Sequence, residues 1–161
     1  MTMTVLQPGL LATIQDSGRY QLQKYGVIVS GAADMYSYRL ANILVGNDQH
    51  AAGIEVTMFQ TTIRFEEDTL FAVTGGDLQP LLDGRPLQMW KPQIARQGNV
   101  LQFQSPKTGA RAYVAVAGGI RVPNVMGSKS TYLRARLGGY EGRALKKGDI
   151  LQTGPLNLLN E

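Results

Sequence analysis

Several groups of polar residues in this chain have the types and spacing for chemistry. Gln15-Asp16-Ser17-Gly18-Arg19 sets a carboxylate and a guanidinium on either side of a Ser-Gly turn. Such a pair can flank a substrate, or it can make a local turn bond and a salt bridge. Ser30-Gly31-Ala32-Ala33-Asp34 fits the N-cap region of a helix. Glu55 is a lone carboxylate inside Gly53-Ile54-Glu55-Val56-Thr57. Strand alternation turns it toward solvent; the other reading is a buried acid with an arginine partner, and a buried Glu with a raised pKa is a catalytic candidate. The stretch from Gly127 to Arg143, GSKSTYLRARLGGYEGR, is dense in glycine, hydroxyls and positive charge.

That last stretch begins like the end of a P-loop but lacks its chemistry. A P-loop has glycine directly before its lysine, so that successive backbone N–H groups turn toward phosphate. Ser128 holds that place before Lys129, and Pro123 stands where the motif's first glycine belongs. Gly138-Gly139-Tyr140-Glu141-Gly142 has no strand–turn–helix unit around it and is no dinucleotide fingerprint. A lysine and three arginines in a glycine-rich loop can still hold carboxylate or phosphate; the alternative is a solvated loop. A Ser/His/Asp triad is not expected, because the only histidine, His50, lies in a predicted surface turn and no nucleophile elbow exists. With no cysteine, disulfides and thiolate metal sites are excluded, and a single His cannot build a metal cluster alone.

The distribution of charge narrows the partners. The net charge is +4, and residues 127–149 carry all of it, with six Lys or Arg against Glu141 and Asp149. The remainder is neutral. A local basic patch suits an anionic small molecule or an acidic partner surface better than nucleic acid. The start of the sequence has no basic, apolar leader pattern, and no apolar run approaches the roughly 18 residues of a membrane span. A cytoplasmic protein without membrane or nucleic-acid partners is expected.

The elements that must position these groups are mostly short strands. Residues 10–15, 53–59, 61–65, 70–74, 100–104, 111–117 and 150–153 read as strands from alternation or β-branched runs. Asp83-Gly84 predicts a tight hairpin between 78–82 and 87–90, since both residues tolerate positive φ. Trp90 is expected in the core at its end. Residues 33–45 predict the one clear helix, with Asp34 in its first turn, Gly46 ending it, and Leu40, Ile43 and Leu44 with Met35 or Tyr36 forming its buried stripe. Arg39 and Asn42 then fall on other faces. The expected class is mainly β with one or two helices, a barrel or sandwich. A single domain over 1–153 is expected, followed by a tail, 154–161.

Eight blocks in one order carry a resemblance: QDSGR, GVIVSGAAD, ANILVGN, AGIEVT, VTGGD, RAYVAVAGGI, GSKSTYLRA and GGYEGRALKKGD. Together they resemble the KipA-like family, whose members are also called the C-type subunit of 5-oxoprolinase, the biotin-dependent carboxyltransferase subunit, or allophanate hydrolase subunit 2. The resemblance runs from about Val5 to Asp149 and implies a cyclophilin-like β-barrel and the N-terminal half of a longer protein, so a missing C-terminal half is expected beyond the tail. It implies a KipI-like partner (the B-type subunit), a LamB/YcsF-like partner (the A-type subunit), a small anionic substrate, and ATP as cofactor of a complex that opens 5-oxoproline to glutamate. Two alternatives come with it. One is a regulatory protein that counteracts a KipI-like inhibitor of a sporulation histidine kinase. The other is a biotin-dependent carboxyltransferase component of the urea carboxylase type.

The polar positions that match the family are Asp16, Arg19, Ser30, Asp34, Asn42, Glu55, Lys129, Ser130, Thr131, Arg134 and Arg143. They are candidates for ligand or partner binding, with no catalytic role assigned. In the enzyme reading Lys129, Arg134 and Arg143 would steady developing phosphate or carboxylate charge. Departures from the family pattern occur at Gln21 and Ile28, where glycine and proline are usual, and at Arg136, where a small residue is common.

Overall fold

The computed structural model describes residues 2–154. Among these residues, eleven strands and one α-helix form in chain order. The strands are β1 Thr2–Gln7, β2 Leu11–Gln15, β3 Gly53–Thr57, β4 Thr62–Phe65, β5 Thr69–Asp77, β6 Leu81–Leu82, β7 Arg85–Pro86, β8 Gln93–Ala95, β9 Val100–Gln102, β10 Thr108–Val116 and β11 Ile150–Gln152. The helix, α1, is Met35–Leu44, and short 3-10 turns lie at Gln23–Tyr25 and Leu133–Ala135. The terminal stretch 155–161, most of the expected tail, lies outside the described residues; the Gly154 amide donates to the Gly119 carbonyl at 3.0 Å.

Two antiparallel sheets face each other, one in the order β11-β1-β4-β9-β6-β7 and the other β2-β3-β10-β5-β8. Alternation explains what lies between them. Met3, Val5, Ile63, Phe65 and Leu101 of the first sheet meet Ile14, Ile54, Val56, Phe71 and Val114 of the second in one buried cluster. The rings of Phe65 and Phe71 tie the layers together, with centroids 4.9 Å apart. The sandwich alternative of the expected class is therefore the apt description, and β10 is central in its sheet as expected.

The second sheet is covered on its outer face too. Tyr113, Ala115 and Ala72 point away from the shared core and pack under Tyr38, Ala41 and Val45 of the α1 region. Small residues on both sides let the helix lie close. The helix face therefore differs from the expected stripe. Asn42 is fully buried, whereas Ile43 and Tyr36 are exposed. The reason is polar: Asn42 Nδ2 donates to the Ala51 carbonyl at 2.9 Å, and its Oδ1 accepts from Asn47 at 3.2 Å. Asp34 is the N-cap itself rather than a first-turn residue, and its carboxylate accepts from the Ser37 amide at 3.0 Å. Gly46 ends the helix with φ 77, as expected.

The Asp83-Gly84 hairpin forms with φ 49 and 77, the pair of left-handed conformations such a turn demands. Its strands are only two residues each, and Trp90 is half exposed rather than core. Pro86 and Pro92 bracket that stretch and cannot extend a ladder.

Candidate functional site

The outer face of the second sheet has a part that α1 does not cover. Thr13, Glu55 and Tyr113 lie directly opposite one another across β2, β3 and β10. Neighbouring side chains across strands share a face, so this row of hydroxyl, carboxylate and phenol follows from register alone. One rank further along, Leu11, Thr57 and Arg111 align in the same way.

Glu55 is buried, against the solvent-facing expectation, because two segments close over it. The turn before α1 supplies the Ala33 amide, which donates to Glu55 Oε2 at 3.0 Å, and Tyr113 donates its hydroxyl to the same oxygen at 2.8 Å. Arg111 Nε lies 3.6 Å from the other oxygen, Oε1. This is the buried-acid alternative, arginine partner included. Burial first, and then the charge on Glu55, push the Tyr113 phenol above its ordinary value against the bond it accepts from the Asp34 amide. Tyr113 is thus a donor to Glu55 at neutral pH.

Beside Glu55 a cleft of about 290 Å³ opens, bounded by Thr13 and Gln15 of β2, by Ser30, and by Thr131 and Arg134. Leu11, Ile28 and Leu133 give it apolar walls. Gln15 donates Nε2 to Thr13 Oγ1 at 3.0 Å, but its Oε1 is buried with no hydrogen-bond partner. An orphaned acceptor of this kind is costly unless something meets it. The cleft therefore combines hydroxyls, a carboxylate already held in place and the Arg134 guanidinium, which is unpaired among the described residues, dimensions and chemistry suited to a small polar molecule that carries an anionic group.

The remaining candidates divide between scaffolding and surface. Asp16 does make the local turn bond, from the Gly18 amide at 2.9 Å, but it also accepts from Ser128 Oγ at 2.6 Å and the Lys129 amide at 2.7 Å. A carboxylate therefore sits where the GSKST stretch would otherwise cradle phosphate. Arg19, fully buried, donates to the carbonyls of Val125 at 2.9 Å and Ser130 at 2.8 Å instead of bridging to Asp16. Ser130 is buried against Ser128, 2.8 Å between hydroxyls, and Thr131 donates to the Ile14 carbonyl at 2.8 Å. So Ser30, Glu55, Thr131 and Arg134 are brought together, while Asp16, Arg19 and Ser130 fasten the loop from beneath. Asp34 and Asn42 serve α1.

Arg143 does not stand ready to hold an anion. Its guanidinium grips Asp149 through two bonds of 2.7 and 2.9 Å, reaches Glu141 at 3.1 Å, and lies 5.0 Å over the Tyr140 ring. The hydrogen bond that Arg143 donates to Asp149 raises the pKa of Arg143 further. Burial acts to raise the Asp149 carboxyl, but Arg143 and the Lys146 amide outweigh it and hold it below the ordinary carboxylate range. A carboxyl depressed in the folded state contributes stability above its unfolded pKa and loses it as pH falls through the folded value. Asp149→Asn is therefore expected to flatten the loss of stability below about pH 4, seen as a smaller drop in urea midpoint between pH 5 and pH 3 than in the parent. An unchanged slope would contradict this.

Sequence reading missed Thr13, Gln15, Arg111 and Tyr113. A signal existed: Thr13, Gln15, Glu55, Thr57, Arg111 and Tyr113 alternate with the apolar core residues of β2, β3 and β10, so one sheet face carries them all.

The carboxyltransferase domain, subdomain A and B, family matches residues 25–160. The chain belongs to that family. This carboxyltransferase-domain chain is 43% identical to the C-type subunit of 5-oxoprolinase from Escherichia coli (strain K12) over 152 residues, 94% of this chain and 49% of that protein. It is also 43% identical to urea amidolyase of Saccharomyces cerevisiae over 145 residues, 89% of this chain and 8% of that one. The crystal structure of the K. lactis urea amidolyase superposes with a TM-score of 0.92 at 37% identity, covering 94% of this chain and 9% of the other. The carboxyltransferase-domain chain thus spans about half the length of the 5-oxoprolinase protein it matches. It shares its fold with a domain of the much larger amidolyases.

Proposed function

We propose that this chain is part of the C-type subunit of an ATP-dependent 5-oxoprolinase, acting with KipI-like (B-type) and LamB/YcsF-like (A-type) partners. The observation that carries the reading is the 43% identity, along 94% of the chain, to a 5-oxoprolinase protein of that type. The cleft is compatible with it. 5-Oxoproline is a lactam bearing a carboxylate. Arg134 offers the carboxylate a counter-charge, and the Ser30 side chain in the lining offers the lactam a hydroxyl that can donate or accept. Glu55 acts by positioning Arg111 and the turn before α1. ATP belongs, in this proposal, to the assembled complex. The GSKST stretch holds Asp16 in place of a phosphate, and its Lys129 amide is not free for one.

The test is co-expression of the protein with both partners and measurement of ATP-dependent glutamate release from 5-oxoproline. Arg134→Ala is expected to lower kcat/KM by about tenfold or more, with the complex still assembled by gel filtration. Unchanged turnover in the variant would remove the cleft from the reaction.

A second reading rests on its own observation, the family's description as a carboxyltransferase domain together with the fit to urea amidolyase. In it the same cleft would take urea, whose N–H groups suit the hydroxyls in its lining, and the carboxyl group would arrive on a biotin carrier. Urea-dependent turnover that needs a biotinylated partner, with no glutamate release, would select it.

A further inference from the structure

The glycine-rich stretch has a second side. Residues 132–134 border the Glu55 cleft, whereas 136–142 form one wall of a separate depression of about 440 Å³. The opposite wall is residues 121–123 and Val125, which follow β10. Arg121 and Arg136 both line it, one from each wall, and neither guanidinium makes a hydrogen bond or ion pair among the described residues. Glu141 is the one carboxylate in the lining; it lies 3.1 Å from Arg143, which it shares with Asp149, so the lining keeps one carboxylate against two arginines.

The wall is built to keep this shape. Arg136 holds φ 54, a left-handed conformation, which lets the chain double back so that Tyr132 and Leu137 exchange backbone bonds of 2.8 and 3.2 Å. Gly138 packs directly on the loop beneath it; a Cβ there would lie 2.0 Å from the Ser130 carbonyl oxygen and 2.5 Å from Arg19 Nη2. Arg19 is fully buried, and its Nη1 is a buried donor with no partner. The depression thus has two guanidiniums at its walls, Arg121 and Arg136, that are unpaired among the described residues. Both side chains are exposed, so their attraction for an anion adds at low ionic strength and weakens as salt rises. Val122, Pro123 and Leu137 supply an apolar lining.

We propose that this depression is a binding site for an organic oxyanion, a carboxylate or phosphate carried on a small apolar or aromatic body, gripped between Arg121 and Arg136. It is distinct from the Glu55 cleft and does not depend on the reaction proposed for that cleft. The Arg136 position, which departs from the family's usual small residue, would make the site a property of this chain rather than of the fold.

Titration of the chain with phenyl phosphate, benzoate and neutral benzyl alcohol, followed by 1H–15N NMR at low ionic strength, tests this. The expected result is saturable shifts at the Gly138, Gly139 and Gly142 amides and at the Arg121 and Arg136 Nε signals with at least one of the two anions. The tighter of phenyl phosphate and benzoate assigns the oxyanion. Binding should weaken about tenfold in Arg121→Gln/Arg136→Gln and in high salt. It should be unchanged in Arg85→Gln, which removes one charge from the exposed hairpin far along the chain. Equal binding of benzyl alcohol, shifts confined to Thr131 and Arg134, or full affinity in the double variant would each overturn the proposal. Each variant's spectrum also shows directly whether it is folded.

Discussion

Arg19→Met is expected to destabilise the protein by about 3 kcal/mol or more, the largest effect of any single side chain in the loop network. Methionine fills much of the volume but donates nothing. The Ser130 carbonyl, inside a buried segment, loses its donor at 2.8 Å, and those of Val125 and Ser128 lose theirs at 2.9 and 3.3 Å while keeping each other's amides. Asp16 also loses the nearest compensating charge, the attraction that opposes the lowering of the Arg19 pKa by burial. For a chain of this size that corresponds to a Tm lower by roughly 6–12 °C. Hydrogen exchange should show protection lost first across 125–131, since those amides and carbonyls are what Arg19 and Asp16 hold. A loss below about 1 kcal/mol in urea unfolding would show that the carbonyls find water instead. Arg19→Lys should fall between, because an ammonium cannot reach three carbonyls in a fixed fork.

The distinction between Arg19 and an exposed loop cation was beyond reach from residues alone. QDSGR reads as a turn, and it is one: the Gly18 amide meets Asp16 as a short Asx turn would. What local sequence does not encode is that residues 125–130 return to that turn over a separation of more than a hundred positions. The strands were legible because alternation is a local signal. RAYVAVA reads as central and is central, and its odd and even members go to opposite layers. The helix was legible in extent and ending but not in facing. Its buried side is chosen by Tyr38 and Asn42 reaching the Ala51 carbonyl at 2.7 and 2.9 Å, a polar anchor that a hydrophobic stripe cannot reveal.

The site was legible in its members more than in its roles. Ser30, Glu55, Thr131 and Arg134 come from separate segments and meet at one cleft. The charge excess of GSKSTYLRARLGGYEGR was visible, yet its distribution was not. Arg143 is consumed by Asp149, and among the described residues Lys129, Arg134 and Arg136 stay unpaired, Arg134 on one side of the loop and Arg136 on the other. Gln21, where the resemblance leads one to expect glycine, takes φ 71, a left-handed conformation that glycine adopts most easily.

Glu55 gives the second large effect, and two substitutions there separate its functions. Glu55→Ala removes the acceptor for both the Ala33 amide and the Tyr113 hydroxyl and leaves Arg111 unpaired, which is expected to cost about 2–4 kcal/mol. Glu55→Gln is expected to cost only about 0.5–1 kcal/mol. The reason is atomic. Both neutral donors converge on Oε2, so a glutamine can place its single oxygen there and keep both bonds. Its amide nitrogen then occupies the Oε1 position and presents N–H toward the Arg111 guanidinium, donor against donor, at the 3.6 Å contact. Only the half-exposed pair is lost, and Arg111 is freed to move. Urea unfolding of the two variants should therefore differ by at least about 1 kcal/mol, with glutamine the milder. If they fall equally, the negative charge and not the acceptor geometry is what this face of the sheet requires, and Glu55 would then be acting on the cleft through its field rather than through the turn it holds.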